Sequence, residues 1–197
     1  MNEQNFTPEE SLLLISKTIE ETKQKFQENG HIIVLWGSLT LAVFFLQYLF
    51  SITGLYKKFD IIWTCILFPL GAIYTFLYVR GKVKKNNIPR NVLSRIIGTM
   101  GWVVGLNLML IGLIFNKELG IALAPIFLIL FALFIIMTGV SIKFKPLIIG
   151  GILLNLIAFG TFLISRDYHG FSMMLGSVVG LIIPGILLNK AKKPRNV

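Results

Sequence analysis

Three amide side chains, Gln47, Asn107 and Asn155, are the main polar groups inside the long apolar segments of this chain. An amide carries both hydrogen-bond donors and an acceptor, and within an apolar segment it needs a partner on a neighbouring helix or a bound solute. We expect the three amides to make contacts between helices. The alternative is that Asn107 and Asn155 line a site for a small solute.

The residues that catalysis or metal binding requires are not grouped anywhere in the sequence. No Asp, Glu, Lys or Arg lies within an apolar segment, and the two histidines, His31 and His169, lie at segment ends. A hydrolase needs a nucleophile beside a base, a metal site needs several His, Cys or carboxylate ligands, and proton-coupled carriers use an intramembrane acid or His. We therefore predict a protein that is not an enzyme and that has neither a cofactor nor a metal.

Six apolar segments, each about 20 residues long, must position the amides, and about 20 residues are what a helix needs to cross a bilayer. The sequence therefore predicts an all-α fold, a polytopic transmembrane bundle of six spans. The predicted spans are residues 31–52, 61–79, 96–115, 119–142, 146–165 and 171–189. Residues 1–30 precede this bundle as a polar helix, and residues 190–197 follow it as a basic tail.

The basic residues predict the orientation of the bundle. With the N-terminus inside, fifteen of the 19 Lys and Arg residues fall in inner segments, and cytoplasmic loops collect such residues. We therefore expect both termini in the cytoplasm. This asymmetry explains the net charge of +10 better than nucleic-acid binding does. Anionic lipid head groups are the expected partners of the basic inner loops, of which residues 80–95 form the longest.

Residues 1–30 predict a cytoplasmic amphipathic helix. Thr7, Pro8 and Glu10 suit the N-cap, the first helical position and the closing residue of a capping box, and Gly30 is expected to cap the C-terminus. One apolar stripe is formed by Leu12, Ile15, Ile19 and Phe26. Six Glu and three Lys make the segment acidic, so anionic lipid repels it. We expect the stripe to pack on protein, with the membrane surface as the alternative.

Small residues recur at helix-packing spacing in two spans. The pattern G-x-V-V-G occurs at Gly101–Gly105 in the third span and at Gly176–Gly180 in the sixth. Two glycines four residues apart allow helix backbones to approach closely, so we expect Gly101, Gly105, Gly176 and Gly180 to lie at helix contacts.

Prolines occur in every second span, at Pro69, Pro125 and Pro184. Each removes a backbone donor and can kink its helix. Their spacing favours three consecutive helical hairpins, whereas the repeated G-x-V-V-G pattern in spans three and six favours an inverted 3 + 3 repeat, which is typical of transporters. Both arrangements remain open at this point.

The stretch TPEESLLLISKTIEETKQKFQENG, followed shortly by Trp36-Gly37, resembles the opening of a group of small uncharacterised bacterial six-span membrane proteins. The resemblance implies the fold and no activity. Richness in Ile, Lys, Asn and Phe is typical of an AT-rich genome and favours a bacterial inner membrane. We predict a non-enzymatic protein that senses, scaffolds or regulates through a cytoplasmic protein partner; the alternative is a small-solute transporter or channel built on proline-broken helices.

Overall fold

The computed structural model describes residues 7–28, 30–53, 56–86 and 92–191, and this part of the chain is helical apart from short turns. The helices are α1 (Pro8–Glu28), α2 (Gly30–Ile52), α3 (Tyr56–Asn86), α4 (Val92–Ile114), α5 (Asn116–Leu119), α6 (Leu123–Ser141), α7 (Lys145–Phe162), α8 (His169–Ser177) and α9 (Ile183–Lys190). A π-helical turn, Val178–Ile182, joins α8 to α9, and we call these three elements together the C-terminal span. The prediction of an all-α helical bundle is confirmed for the described residues.

Five helical segments in the described part of the chain are long and apolar enough to cross a membrane. They are Gly30–Ile52, Arg95–Ile114, Gly120–Ser141, Lys145–Phe162 and Arg166–Lys190. A shorter apolar segment, Ile66–Gly81, lies within the 31 residues of α3. The outward faces of these helices carry exposed Leu, Ile and Phe side chains, as expected where lipid is the solvent. Length and composition thus favour a multi-pass membrane protein.

Neighbouring helices run antiparallel, as the contacts of four glycines indicate. Gly37 in α2 packs against Ile182, and Gly185 in α9 packs against Val34. In the same way Gly139 in α6 faces Ile148, and Gly151 in α7 faces Ile136. The order of helices across the bundle is α3, α2, the C-terminal span, α7, α6 and α4.

The C-terminal span lies at the centre of this order and is the most buried of the five long segments, whereas α4 is the least buried. Leu181 and Leu188 from the C-terminal span join one core cluster with Ile135, Ile142 and Leu147. A second cluster is formed by Leu128, Ala132, Leu154, Ala158 and Met173. The core is therefore built mainly by α6, α7 and the C-terminal span.

A Schellman turn closes the hairpin between α6 and α7. The Phe144 N–H donates to Gly139 O at 2.9 Å, and the Lys143 N–H donates to Val140 O at 3.1 Å. Lys143 adopts a left-handed conformation with φ 52°, at the position that glycine usually occupies in this motif. Phe144 then packs against the first core cluster. This turn keeps the connection as short as the sequence predicts.

Two local predictions are wrong. The predicted inner loop at residues 80–95 is largely helical, because α3 continues to Asn86 and α4 begins at Val92. Lys and Arg are good helix formers, so the end of an apolar run marks where the apolar environment ends and not where the helix ends. Gly30 does not cap α1, because it is the first residue of α2 and lacks a positive φ. It lies against the Asn189 side chain, where a larger residue has no space.

Candidate functional site

The N-terminus of α1 has the predicted capping box. The Thr7 N–H donates to Glu10 Oε2 at 2.9 Å, and the Glu10 N–H donates to Thr7 Oγ1 at 3.2 Å. Hydrogen bonds from the Thr7 backbone, and secondarily from its side chain, favour the charged carboxylate and lower the pKa of Glu10. The helix therefore starts at a defined residue, and α1 is a preformed element.

Four apolar side chains in the first two turns of α1 are largely uncovered. Leu12 is 67% exposed, Leu13 71%, Leu14 52% and Ile15 56%, and we call these four residues the α1 apolar surface. Successive helical residues are about 100° apart, so these side chains surround the helix and do not share one face. Ile19 is half-buried, and α1 contacts α2, α4 and α9. The bundle therefore leaves the α1 apolar surface open. The side chain of Phe26, the last member of the predicted stripe, lies outside the described residues.

The position of α1 follows from its connection to α2. Because α1 ends at Glu28 and α2 begins at Gly30, α1 is attached to the end of the bundle where α2 starts and α9 finishes. The side chain of Asn189 lies against Gly30 at that end. The C-terminal end of α1 therefore lies at the end of the bundle that holds Lys190, the last residue of α9.

The three predicted intramembrane amides lie on three different helices. Gln47 on α2 is half-buried, and Asn107 on α4 is exposed, with its Nδ2 donating to Val103 O of its own helix at 2.8 Å. Asn155 on α7 has a buried Oδ1 that has no hydrogen-bond partner among the described residues. Since α2 and α4 lie far apart in the helix order, the fold does not gather the three amides into one solute site within the described part of the chain.

The glycines of the two G-x-V-V-G patterns have different surroundings. A Cβ added at Gly176 would lie 2.7 Å from Leu154 Cδ1, and one at Gly180 would lie 2.8 Å from Leu154 Cδ2. A Cβ at Gly101 would meet only the ring of Phe134, at 3.3 Å, and one at Gly105 would meet no described atom within 4 Å. The pattern therefore makes a close helix contact in the C-terminal span and a loose one in α4.

The three prolines also differ. Pro69 is exposed within α3, and Pro125 is the third residue of α6, in the first turn, where a missing N–H breaks no helical hydrogen bond. Pro184 follows the π-helical turn, in which the Ile183 N–H donates to Val178 O, five residues back. In the same pattern the carbonyl of Val179 would accept from residue 184. That residue is Pro184, which has no N–H to donate. This oxygen faces Gly150, since it lies 3.2 Å from where a Gly150 Cβ would stand.

Sequence reasoning missed the polar contact between α2 and α3. Trp36 Nε1 donates to Thr75 Oγ1 at 3.2 Å, and the Thr75 hydroxyl donates to Gly71 O at 2.8 Å. His31 and Tyr78 make an edge-to-face ring contact with centroids 4.5 Å apart. A usable signal existed, because two antiparallel helices that follow each other in the chain bring residues near 36 and near 75 to a similar level of the bundle. This contact fixes the register of the two helices.

His169, near the exposed Asp167, makes a structural contact. His169 is buried, and its Nε2 lies 3.3 Å from Ile164 O, a contact that holds the start of α8. Within residues 7–28, 30–53, 56–86 and 92–191, no three His, Cys, Asp or Glu side chains are grouped so that they could hold a metal ion.

An apolar groove opens on the outer surface between α2 and the C-terminal span. Its volume is about 380 Å³, and its lining includes Phe45, Tyr48, Phe171 and Leu175. Within this lining, Tyr48 and Phe171 make an edge-to-face contact with ring centroids 5.1 Å apart. Such a lining suits a lipid acyl chain and offers little to a polar solute.

No protein-family model matches this chain, and neither a curated protein nor a solved structure matches it. The function is therefore argued from the geometry of the chain. Three features carry that argument: the open α1 apolar surface, the buried Oδ1 of Asn155, and the exposed amide of Asn107.

Proposed function

We propose that the chain is a six-span protein of a bacterial inner membrane with both termini in the cytoplasm. Five long apolar helices and the apolar segment Ile66–Gly81 of α3 support six spans. Antiparallel neighbours bring the start of α2 and the end of α9 to the same side of the bundle. The excess of Lys and Arg in the segments on that side supports a cytoplasmic location for it.

The protein acts without catalysis, through a cytoplasmic protein partner that docks on the α1 apolar surface and allows it to sense, scaffold or regulate. The observation that carries this proposal is the exposure of four consecutive apolar side chains, Leu12–Ile15, on a helix that is already capped and anchored. Exposed apolar patches with a polar border mark interaction sites.

Charge supports a protein partner in preference to the membrane surface. Helices that lie on a membrane usually carry Lys and Arg on their polar face. The first 30 residues carry six Glu and three Lys instead, and Glu9, Glu10 and Glu20 on α1 are exposed. The anionic leaflet repels such a helix. The partner we expect presents an apolar groove with a basic border, which is a common way of binding an amphipathic helix.

The test is affinity purification of the tagged full-length protein from its native membrane, with mass spectrometry of the proteins that co-purify. A double variant, Leu13→Gln with Leu14→Gln, makes the α1 apolar surface more polar without changing its charge. Ser16→Gln is the matched control, because it alters an exposed α1 position outside the apolar surface and also leaves the charge unchanged. We expect one stoichiometric partner that is lost only with the double variant. A partner that stays bound to the double variant would contradict the proposal.

A second candidate function, small-solute transport, is supported by the buried Oδ1 of Asn155. An unpaired buried amide oxygen is unfavourable, and a bound solute that donates a hydrogen bond would remove that penalty. A thermal-shift screen of small polar solutes on the purified protein tests this idea. A solute that stabilises the wild type but not Asn155→Leu would favour transport. A screen in which no solute distinguishes the two proteins would count against it.

A further inference from the structure

The outward face of α4 carries a largely apolar stripe with heptad spacing. Another face of α4 contains Ile97 and Leu108, which are buried, and the Phe134 contact at Gly101 attaches α4 to α6. The stripe consists of Ile96, Met100, Val103, Asn107, Leu110 and Ile114, all exposed apart from the half-buried Met100. These residues alternate steps of three and four, the spacing with which two helices interlock their side chains.

Within this stripe, Asn107 places an exposed amide in the middle of an apolar span. Its Nδ2 donates to Val103 O at 2.8 Å, and its Oδ1 accepts no hydrogen bond from the described residues. In hydrocarbon an unpaired amide oxygen is costly, because no water is present to bind it. The comparable outward face of α7, with Ile149, Leu153 and Leu156, is apolar. An amide on the α4 surface therefore calls for a partner outside the bundle.

We propose that the outward face of α4 is the interface between two copies of this chain, related by a two-fold axis parallel to the membrane normal. Such an axis places each residue at the same depth as its copy, so the two Asn107 side chains meet in the middle of the bilayer. An amide has both a donor and an acceptor and is therefore complementary to itself. The heptad stripes of the two copies pack around this pair.

The hydrogen-bonding needs of the Asn107 amide favour a second copy over lipid or a different membrane protein on this face. Lipid acyl chains offer no donor to Asn107 Oδ1. A different membrane protein needs a polar group at the same depth, whereas a second copy supplies one by symmetry. This inference does not rest on the proposed function, because it concerns α4 and does not involve the α1 apolar surface.

The test is disulfide cross-linking in membrane vesicles at a low ratio of protein to lipid. Cys65, the single cysteine, is first replaced by Ser. Val103→Cys or Leu110→Cys then places one thiol on the α4 stripe, and Leu153→Cys or Leu156→Cys places one on the outward face of α7 as a control. We expect covalent dimers with the α4 thiols and not with the α7 thiols. Equal cross-linking of both sets, or none with α4, would overturn the proposal.

The role of the amide is tested by two further variants in the Leu110→Cys background. Asn107→Leu should weaken dimerisation about threefold for one lost interhelical hydrogen bond, and up to about tenfold for two symmetric ones. Asn107→Gln keeps the amide and should restore most of the cross-linking. Because Asn107 is exposed, neither change disturbs the core. Unchanged dimerisation of Asn107→Leu, or cross-links only to a different protein, would overturn the pairing of two copies through Asn107.

Discussion

The same pattern, G-x-V-V-G, lies in two very different environments in this molecule. In α4 it is part of a regular helix on the edge of the bundle, and Gly105 has open space beside it. In the C-terminal span it lies at the centre of the bundle, with Leu154 packed against Gly176 and Gly180. Two glycines four residues apart permit close approach between helices, but the residue on the neighbouring helix decides whether the approach occurs.

Backbone structure distinguishes the two regions further. Pro184 lies four residues after Gly180, whereas no proline follows Gly105 within α4. Pro184 cannot donate a hydrogen bond, and its ring displaces the carbonyl of the preceding turn. The helix responds with the π-helical turn Val178–Ile182, and α7 approaches the freed Val179 carbonyl through Gly150. The proline and the glycine on the neighbouring helix therefore act as a pair.

The most direct test of this difference is to place the same large side chain in both patterns. Gly180→Leu forces a side chain into Leu154, whose Cβ would lie 3.0 Å from the new Cβ, and should destabilise the protein by about 1–3 kcal/mol or more. Gly105→Leu enters open space and should be neutral or stabilising by up to about 1 kcal/mol, since glycine disfavours helix. Unfolding free energies in mixed detergent micelles measure both. Equal losses of unfolding free energy in the two variants would show that the two patterns are packed equally closely.

A double-mutant cycle tests the pairing of Pro184 with Gly150. Gly150→Ala places a Cβ 2.5 Å from Pro184 Cγ, so we expect a loss of about 1–3 kcal/mol in unfolding free energy. In a Pro184→Ala background the same substitution should cost less, because the ring is gone. The coupling energy between the two changes is the quantity to measure. Additive effects would contradict the pairing of Gly150 with Pro184.

A contact at the edge of the bundle should matter less. Thr75→Val removes the hydroxyl that accepts from Trp36 Nε1 and keeps the shape of the side chain. We expect a loss of about 0.6 kcal/mol, the average for hydrogen bonds between membrane helices. The same unfolding assay reports it, together with a change in Trp fluorescence. Ser51→Ala, at an exposed α2 position, serves as the control, and a loss as large as that of Gly180→Leu would be inconsistent with a peripheral role.

The smallest effect is expected at the cap of α1, outside the spans. The pKa of Glu10 is lowered in the folded state, so its stabilising effect is complete above the ordinary value of 4.5 and is lost as the pH falls through the lowered pKa. Protection factors for the first-turn amides of α1, measured by hydrogen exchange against pH, should fall in that acidic window. Thr7→Ala removes the hydroxyl, which is the smaller of the two causes, and keeps the backbone N–H, so it should make the fall in protection shallower without abolishing it. A wild-type profile that is flat below pH 4.5 would contradict the capping-box explanation.

What the sequence predicts well is what neighbouring residues determine. The start of α1 depends on Thr7, Pro8 and Glu10, and the structure has the predicted helix from Pro8 to Glu28. Apolar runs located five long segments because lipid requires them. The end of α3 was not predictable in this way, because the basic residues Arg80, Lys82, Lys84 and Lys85 are polar but favour helix. Hydropathy therefore reports the environment of a residue better than its backbone conformation.

What the sequence could not predict depends on residues that are distant in the chain. Gly30 lies against Asn189, where a larger residue has no space, and Gly176 is close-packed because Leu154 is opposite. The Val179 carbonyl in the π-helical turn before Pro184 faces a glycine in α7. The exposure of Asn107 follows from the edge position of α4, whereas Asn155 lies on α7 inside the helix order. A single apolar sequence does not reveal such neighbours.

The most direct test of the central claim, a six-span bundle that holds α1 on the cytoplasmic side, is cysteine labelling in intact and permeabilised cells. Single cysteines at Ser16→Cys, Ser165→Cys and Lys190→Cys, in a Cys65→Ser background, occupy exposed positions in α1, in the turn before α8 and at the end of α9. We expect a membrane-impermeant maleimide to label only Ser165→Cys in intact cells and all three after permeabilisation. Labelling that places Ser16→Cys and Lys190→Cys on opposite sides would mean an odd number of spans and would contradict the account.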